Sequence, residues 1–108
     1  MFEYAANLNR IVDADTLRLD IDLGCGVWRI NEPIRLFGIN APELSTEAGK
    51  LAKAALVGLF STNAGPIVVK TIKDRSEKFG RLLGIVTVGG INLNDWLVSQ
   101  GHAVHKTY

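Results

Sequence analysis

A single cysteine, Cys25, stands in the whole chain, so no internal disulfide can brace it. Flanked by Gly24 and Gly26, that thiol reads as part of a turn tip, and no neighbour that would activate it is evident. No run approaches the ~18 consecutive apolar residues of a membrane span, which leaves no membrane among the expected partners. The opening Met1-Phe2-Glu3-Tyr4 has neither the basic stretch nor the apolar stretch of a signal peptide, so a cytoplasmic location is expected. Excess charge is missing too. Lys and Arg exceed Asp and Glu by one, leaving +1, short of the strongly basic surface of a tight non-specific DNA binder. Any nucleic-acid contact should therefore be local and sensitive to salt. His102 and His105 lack the cysteines or further histidines that a zinc site would need.

What is present is apolar and patterned. With 108 residues, 47% of them hydrophobic, the chain can bury one modest core as a single domain over residues 1–108. Residues 2–12 read as a strand with imperfect alternation (Phe2, Tyr4, Ala6, Leu8). Leu17, Leu19, Ile21 and Leu23 then alternate with Arg18, Asp20 and Asp22, a period-two strand with one buried face. Extended backwards, that parity places Asp15 on the inner rim, where a carboxylate is costly unless bonded, paired or metal-bound. Gly24-Cys25-Gly26 reads as a hairpin turn. The return strand starts at Val27, is interrupted at Asn31-Glu32-Pro33, and resumes from Ile34 to Ile39.

From Ser45 or Thr46 to about Thr62 the period becomes helical, with Ala48, Leu51, Ala52, Ala55, Leu56, Leu59 and Phe60 on one stripe. Asn63-Ala64-Gly65-Pro66 stops it. Ile67 to Lys73 is a β-branched strand, Asp74 to Gly80 a charged loop, and Leu82 to Val88 a fifth strand. A short helix follows over Asn92 to Gln100. This order predicts a mainly β fold with helices (α+β). It matches the five-stranded Greek-key barrel called the OB-fold, with one helix between strands three and four and a short one after strand five.

Three stretches carry chemistry. Leu36-Phe37-Gly38-Ile39-Asn40-Ala41-Pro42-Glu43, preceded by Arg35, ends an apolar run in a carboxamide, a proline and a carboxylate. Asp13-Ala14-Asp15-Thr16 and Lys78-Phe79-Gly80-Arg81 look built to reach the same rim. Phosphodiester hydrolysis needs fixed cations where charge develops on the phosphoryl oxygens, and a water held in line with the leaving oxygen. Guanidinium groups grip phosphate in a planar, bidentate way, and a hard cation takes carboxylate and carbonyl oxygens. Each piece also has a plainer reading: the two aspartates as an Asx turn, Glu43 as an acid before a helix, the arginines as surface residues.

Taken together and in order, Val12-Asp13-Ala14-Asp15-Thr16-Leu17, Arg35 through Glu43, and Lys78-Phe79-Gly80-Arg81-Leu82 resemble the three signature blocks of the staphylococcal (thermonuclease-type) nuclease family. Asn92-Leu93-Asn94 and Leu97-Val98-Ser99-Gln100-Gly101 are similar to its later helix. The resemblance implies calcium-dependent cleavage of DNA and RNA with little sequence preference, preferably on single strands. It implies Asp15, Asn40 and the Ala41 carbonyl as calcium ligands, with Asp13 behind them. Glu43 would orient or deprotonate the attacking water, and Arg35 and Arg81 would hold the phosphate. Lys78, Phe79 and Tyr108 would contact substrate.

Four departures from the family pattern carry expectations. Asn40 stands where the family has a second metal-binding aspartate, so calcium should bind weakly and cleavage should be low or lost. Ala14 replaces a glycine, which strains the turn if that position needs positive φ. Phe79 lacks a tyrosine hydroxyl. The chain ends at Tyr108, before the family's C-terminal helix, which leaves room for a homo-oligomer. The alternative to a nuclease is an OB-fold module that binds single-stranded nucleic acid without cutting it; a barrel used only for protein contact leaves the arginine–carboxylate set unexplained.

Overall fold

The computed structural model describes residues 2–63, 65–76 and 80–107, without the side chains of 73–76. Lys78, Phe79 and Tyr108 therefore lie outside the described residues. Strands β1 (Phe2–Asp13), β2 (Thr16–Gly24) and β3 (Val27–Leu36) form an antiparallel meander. After the short β4 (Ile39–Asn40) comes helix α1 (Glu47–Thr62), then β5 (Ile67–Ser76) and β6 (Leu82–Val88). The short β7 (Ile91–Asn92), α2 (Leu93–Ser99) and β8 (Val104–His105) complete the order. The sheet runs β3-β2-β1-β5-β6-β7, and a parallel pairing of β3 with β6 closes five strands into a barrel. The expected OB-fold class, mainly β with two helices, is what forms. Among the described residues no helix is long and apolar enough to cross a membrane.

The core explains the sequence pattern and its lapses. Leu17, Leu19 and Ile21 point inward and are fully buried, each worth about 1.5–3 kcal/mol of apolar transfer. Leu23, the fourth of that series, lies beyond the barrel on the hairpin and is exposed, as are Val27, Trp28 and Ile30. The uneven alternation of β1 has a cause: a register shift between Leu8 and Arg10 moves the buried set from Ala6 to Ile11.

Three boundaries move. β3 is continuous through Pro33, which pairs with Arg18; the irregular residue is Asn31, with φ +59°. β6 pairs with β3 only from Ile34 onward, so the proline sits where the strand's other edge is open and its missing N–H breaks no ladder. At its far end β3 stops at Leu36, because a turn at Phe37–Gly38, with Gly38 at φ +79°, sends Ile39–Asn40 to pair with β8 instead. β5 continues to Ser76 rather than ending at Lys73, with a register shift between Thr71 and Ser76.

Helix α1 is capped by Thr46, whose hydroxyl accepts the Gly49 N–H at 3.0 Å. Its buried line is Gly49, Ala52 and Leu56, with Leu59 and Phe60 packed beside it. Ala48 and Leu51 of the expected stripe instead face solvent, because the helix docks through Gly49. A Cβ at Gly49 would overlap the Glu43 carbonyl, so only glycine lets the helix lie this close to the loop before it.

Candidate functional site

The site begins at the β1–β2 turn. Asp13 Oδ1 accepts the Asp15 N–H at 3.2 Å, so the Asx turn does form. Ala14 is fully buried and keeps a negative φ; Cys25 and Asn31 are the non-glycine residues with positive φ among those described. The strain expected of alanine in this turn is absent, since the turn bends without the left-handed region.

Register then carries Arg35 to the turn. Thr16 pairs with Arg35 across β2–β3, Arg35 pairs with Leu83 across the closing seam, and the Leu36 N–H bonds the Asp15 carbonyl at 2.9 Å. Arg35 is buried, and its guanidinium is fully directed. Nη1 donates to the Leu36 carbonyl at 2.9 Å, Nη2 donates to Asn40 Oδ1 at 2.7 Å, and Nη2 lies 3.4 Å from Asp15 Oδ2. The Phe37–Gly38 turn is what folds Asn40 back onto it. The Ala41 N–H closes the ring, donating to Asp15 Oδ2 at 3.0 Å.

Arg81 joins through Thr16. Its Nη1 donates to the Thr16 hydroxyl at 2.9 Å, and that hydroxyl reaches Asp15 Oδ1 at 3.4 Å. Thr16 is therefore a link to which sequence reasoning assigns no role, although it closes the Asp13–Thr16 stretch, because a threonine at a strand start carries no pattern of its own. Asn94 is another. Buried in the first turn of α2, its amide donates to the carbonyls of Phe37 at 2.8 Å and Gly84 at 3.2 Å, and its oxygen accepts the Val86 N–H. It clamps the turn that positions Asn40 against β6.

Glu43 is the predicted residue that the fold does not bond into this cluster. It lies exposed on the loop after Ala41, and its side chain makes no bond among the described residues. Its backbone is held firmly: the carbonyl accepts the Thr46 N–H at 3.0 Å and the Thr46 hydroxyl at 2.6 Å.

The two aspartates titrate apart. Burial, then the hydrogen bond to Asp15 and that residue's negative charge, push the Asp13 carboxyl up to about 6, against a weaker pull from the Asp15 N–H and Arg81. Burial would raise Asp15 as well. Donors from Asp13, the Ala41 N–H and Thr16, together with the Arg35 charge, outweigh it and hold Asp15 below the usual carboxylate range. The rim thus presents one carboxylate and one carboxyl that retains its proton more readily.

The oxygen donors here are Asp13, Asp15, Asn40 and the Ala41 carbonyl, a set that suits a hard cation in kind but is low in charge. Among the described residues no group of three His, Cys, Asp or Glu gathers to hold a metal. His105 pairs in β8 with Ile39, and His102 lines a cleft of about 290 Å³ beside Asn40, Ala41 and Pro42.

Comparison with known proteins agrees with this arrangement. The family described as "Staphylococcal nuclease homologue" matches residues 33–108. Two rice proteins (Oryza sativa subsp. japonica), "Probable staphylococcal-like nuclease CAN2" and "Probable staphylococcal-like nuclease CAN3", are 36% and 34% identical to the chain over 76 residues, 69% of its length. The chain spans 20% and 19% of those relatives' own lengths. The closed barrel, the Arg35–Asp15–Asn40 cluster and the match from Pro33 onward together show that the chain belongs to the staphylococcal nuclease family.

Proposed function

We propose that this domain hydrolyses phosphodiester bonds of DNA or RNA, with single strands preferred and little regard for sequence. The observation that carries the reading is the bonded chain Asn40–Arg35–Asp15–Thr16–Arg81, which draws two guanidinium groups and a depressed carboxylate to one barrel rim. Arg35 and Arg81 would grip the scissile phosphate and stabilise the charge that builds on its oxygens. Arg35 directs Nη1 to Leu36 and Nη2 to Asn40 and Asp15, and the rest of its five N–H donors would serve substrate. Glu43, exposed on a loop whose backbone is fixed, would orient or deprotonate the attacking water. Lys78, Phe79 and Tyr108 would contact substrate beyond the scissile group, as the family resemblance implies.

Calcium would be held by Asp15, Asn40 and the Ala41 carbonyl, with Asp13 behind them, and would supply Lewis-acid stabilisation of the phosphoryl oxygens. Asn40 makes that binding weak. Its amide oxygen carries no formal charge and already accepts from Arg35. The same observation favours the second reading, a domain that binds single-stranded nucleic acid and cuts it slowly or not at all. Incubation of denatured DNA with the domain in millimolar calcium, beside a chelator control, separates the two. Calcium-dependent fragmentation supports the nuclease. Retarded but intact strands support the binding module, and strands neither cut nor retarded overturn both.

A further inference from the structure

The outer face of the barrel carries a feature that the rim chemistry leaves unused. The bulge in β1 sets Arg10 directly opposite Arg18 of β2. Like charges facing each other across a strand pair destabilise a sheet unless something neutral or negative intervenes. Arg10 is exposed, with no hydrogen bond or ion pair among the described residues. Arg18 donates from Nη1 to the Asn31 carbonyl at 3.0 Å, while its Nε–H is buried with no acceptor. The acid farther along this face, Asp20, spends Oδ1 on the Asn9 amide and the Asn31 N–H.

Between these groups lies a cleft of about 510 Å³, lined by Arg10, Val12, Thr16, Arg18, Pro33 and Arg81. No carboxylate lines it among the described residues. Thr16 and Arg81 are the shared wall, because Arg81 Nη1 donates to the Thr16 hydroxyl, which also reaches Asp15 at the rim. Thr16 and Arg18 are one two-residue strand step apart, about 7 Å, close to the span between neighbouring phosphates in an extended strand.

We propose that this cleft is a second phosphate site, taking a phosphodiester of the same strand beyond the one held at the rim. The inference rests on the nucleic-acid reading above and extends it. Arg18 spends Nη1 on Asn31 and keeps Nη2 without a bond among the described residues to meet a phosphate oxygen, and Arg10 adds a second cation. Val12 and Pro33 give the sugar an apolar wall. An anion here relieves the repulsion between the two guanidinium groups that β1 and β2 set opposite each other.

The test is fluorescence anisotropy with labelled oligothymidylate of about ten nucleotides and with a dinucleotide, across a salt series. R10E/R18Q should weaken the longer strand about tenfold more than the dinucleotide. It should also flatten the salt dependence by about 0.7 for each phosphate that is no longer neutralised. R10E alone removes no bond, so it keeps the proposal testable if the double variant folds poorly, and it should weaken the longer strand selectively. R18K retains charge without the planar guanidinium, and should lose affinity at an unchanged salt slope. Equal losses for both lengths, or none, overturn the second site while leaving the rim reading intact. A wild-type chain that binds neither probe overturns both.

Discussion

Arg35 and Glu43 face the same reaction from opposite structural positions. Arg35 is buried at the barrel seam and bonded to Leu36, Asn40 and Asp15, so the fold holds its charge in place before any substrate arrives. Glu43 is exposed, its side chain unbonded among the described residues, and only its backbone is fixed by Thr46 and by the close approach of Gly49. The difference separates two roles. The group that meets developing negative charge gains from being set in a low-dielectric wall, whereas the group that handles water has to reach it.

The comparison breaks most easily at Arg35. Arg35→Ala strands Asp15 without its cation and Asn40 without its donor, and should cost about 3–5 kcal/mol of stability, read by urea unfolding, along with any cleavage. Glu43→Ala should do the reverse. Cleavage should fall about 10²–10⁴-fold while unfolding stays within about 0.5 kcal/mol of wild type, and a large stability loss would show that Glu43 is structural after all.

Asn40→Asp sharpens the comparison from the metal side. The added charge should tighten calcium at least about tenfold by calorimetry, which is ~1.4 kcal/mol, and raise cleavage with it. Unchanged affinity would place the cation elsewhere.

The smallest effect is the pH dependence of Asp13. Its folded carboxyl titrates at about 6 against an ordinary 3.8. Between those values the folded chain holds a proton that the unfolded chain has released, so stability falls as pH rises through this window. Asp15 works in the other sense, its contribution being lost as pH falls below the ordinary range. Asp13→Asn keeps the Oδ1 acceptor for the Asp15 N–H. It should be more stable than wild type above about pH 6, by no more than about 1 kcal/mol given the partial exposure, with the gap closing towards about pH 4. A constant gap across that range would mean that Asp13 is already ionised.

Much of this was legible in the chain. The alternation of Leu17, Leu19 and Ile21 located the buried face of β2, and Asp15, in the turn just before it, is bonded at the rim by Ala41 and Arg35. The helix was visible in its period, but its docking face was not. Gly49 rather than Leu51 meets the barrel, a matter of how close two backbones come. Ala14 misled in the other direction, because a turn's φ cannot be read from the residue that usually fills it.

The sequence by itself determined the succession of the five barrel strands, the helix between the third and fourth of them, and which residue types were available for phosphate chemistry. Local periodicity and turn chemistry act over a few residues and need no partner. Only the closed barrel decided which side chains meet. The parallel seam of β3 with β6 buries Arg35, and the turn clamped by Asn94 swings Asn40 onto it, while the bulge in β1 turns Arg10 to face Arg18. Those pairings join residues far apart in the chain, and they exist only once strand pairing has set the register.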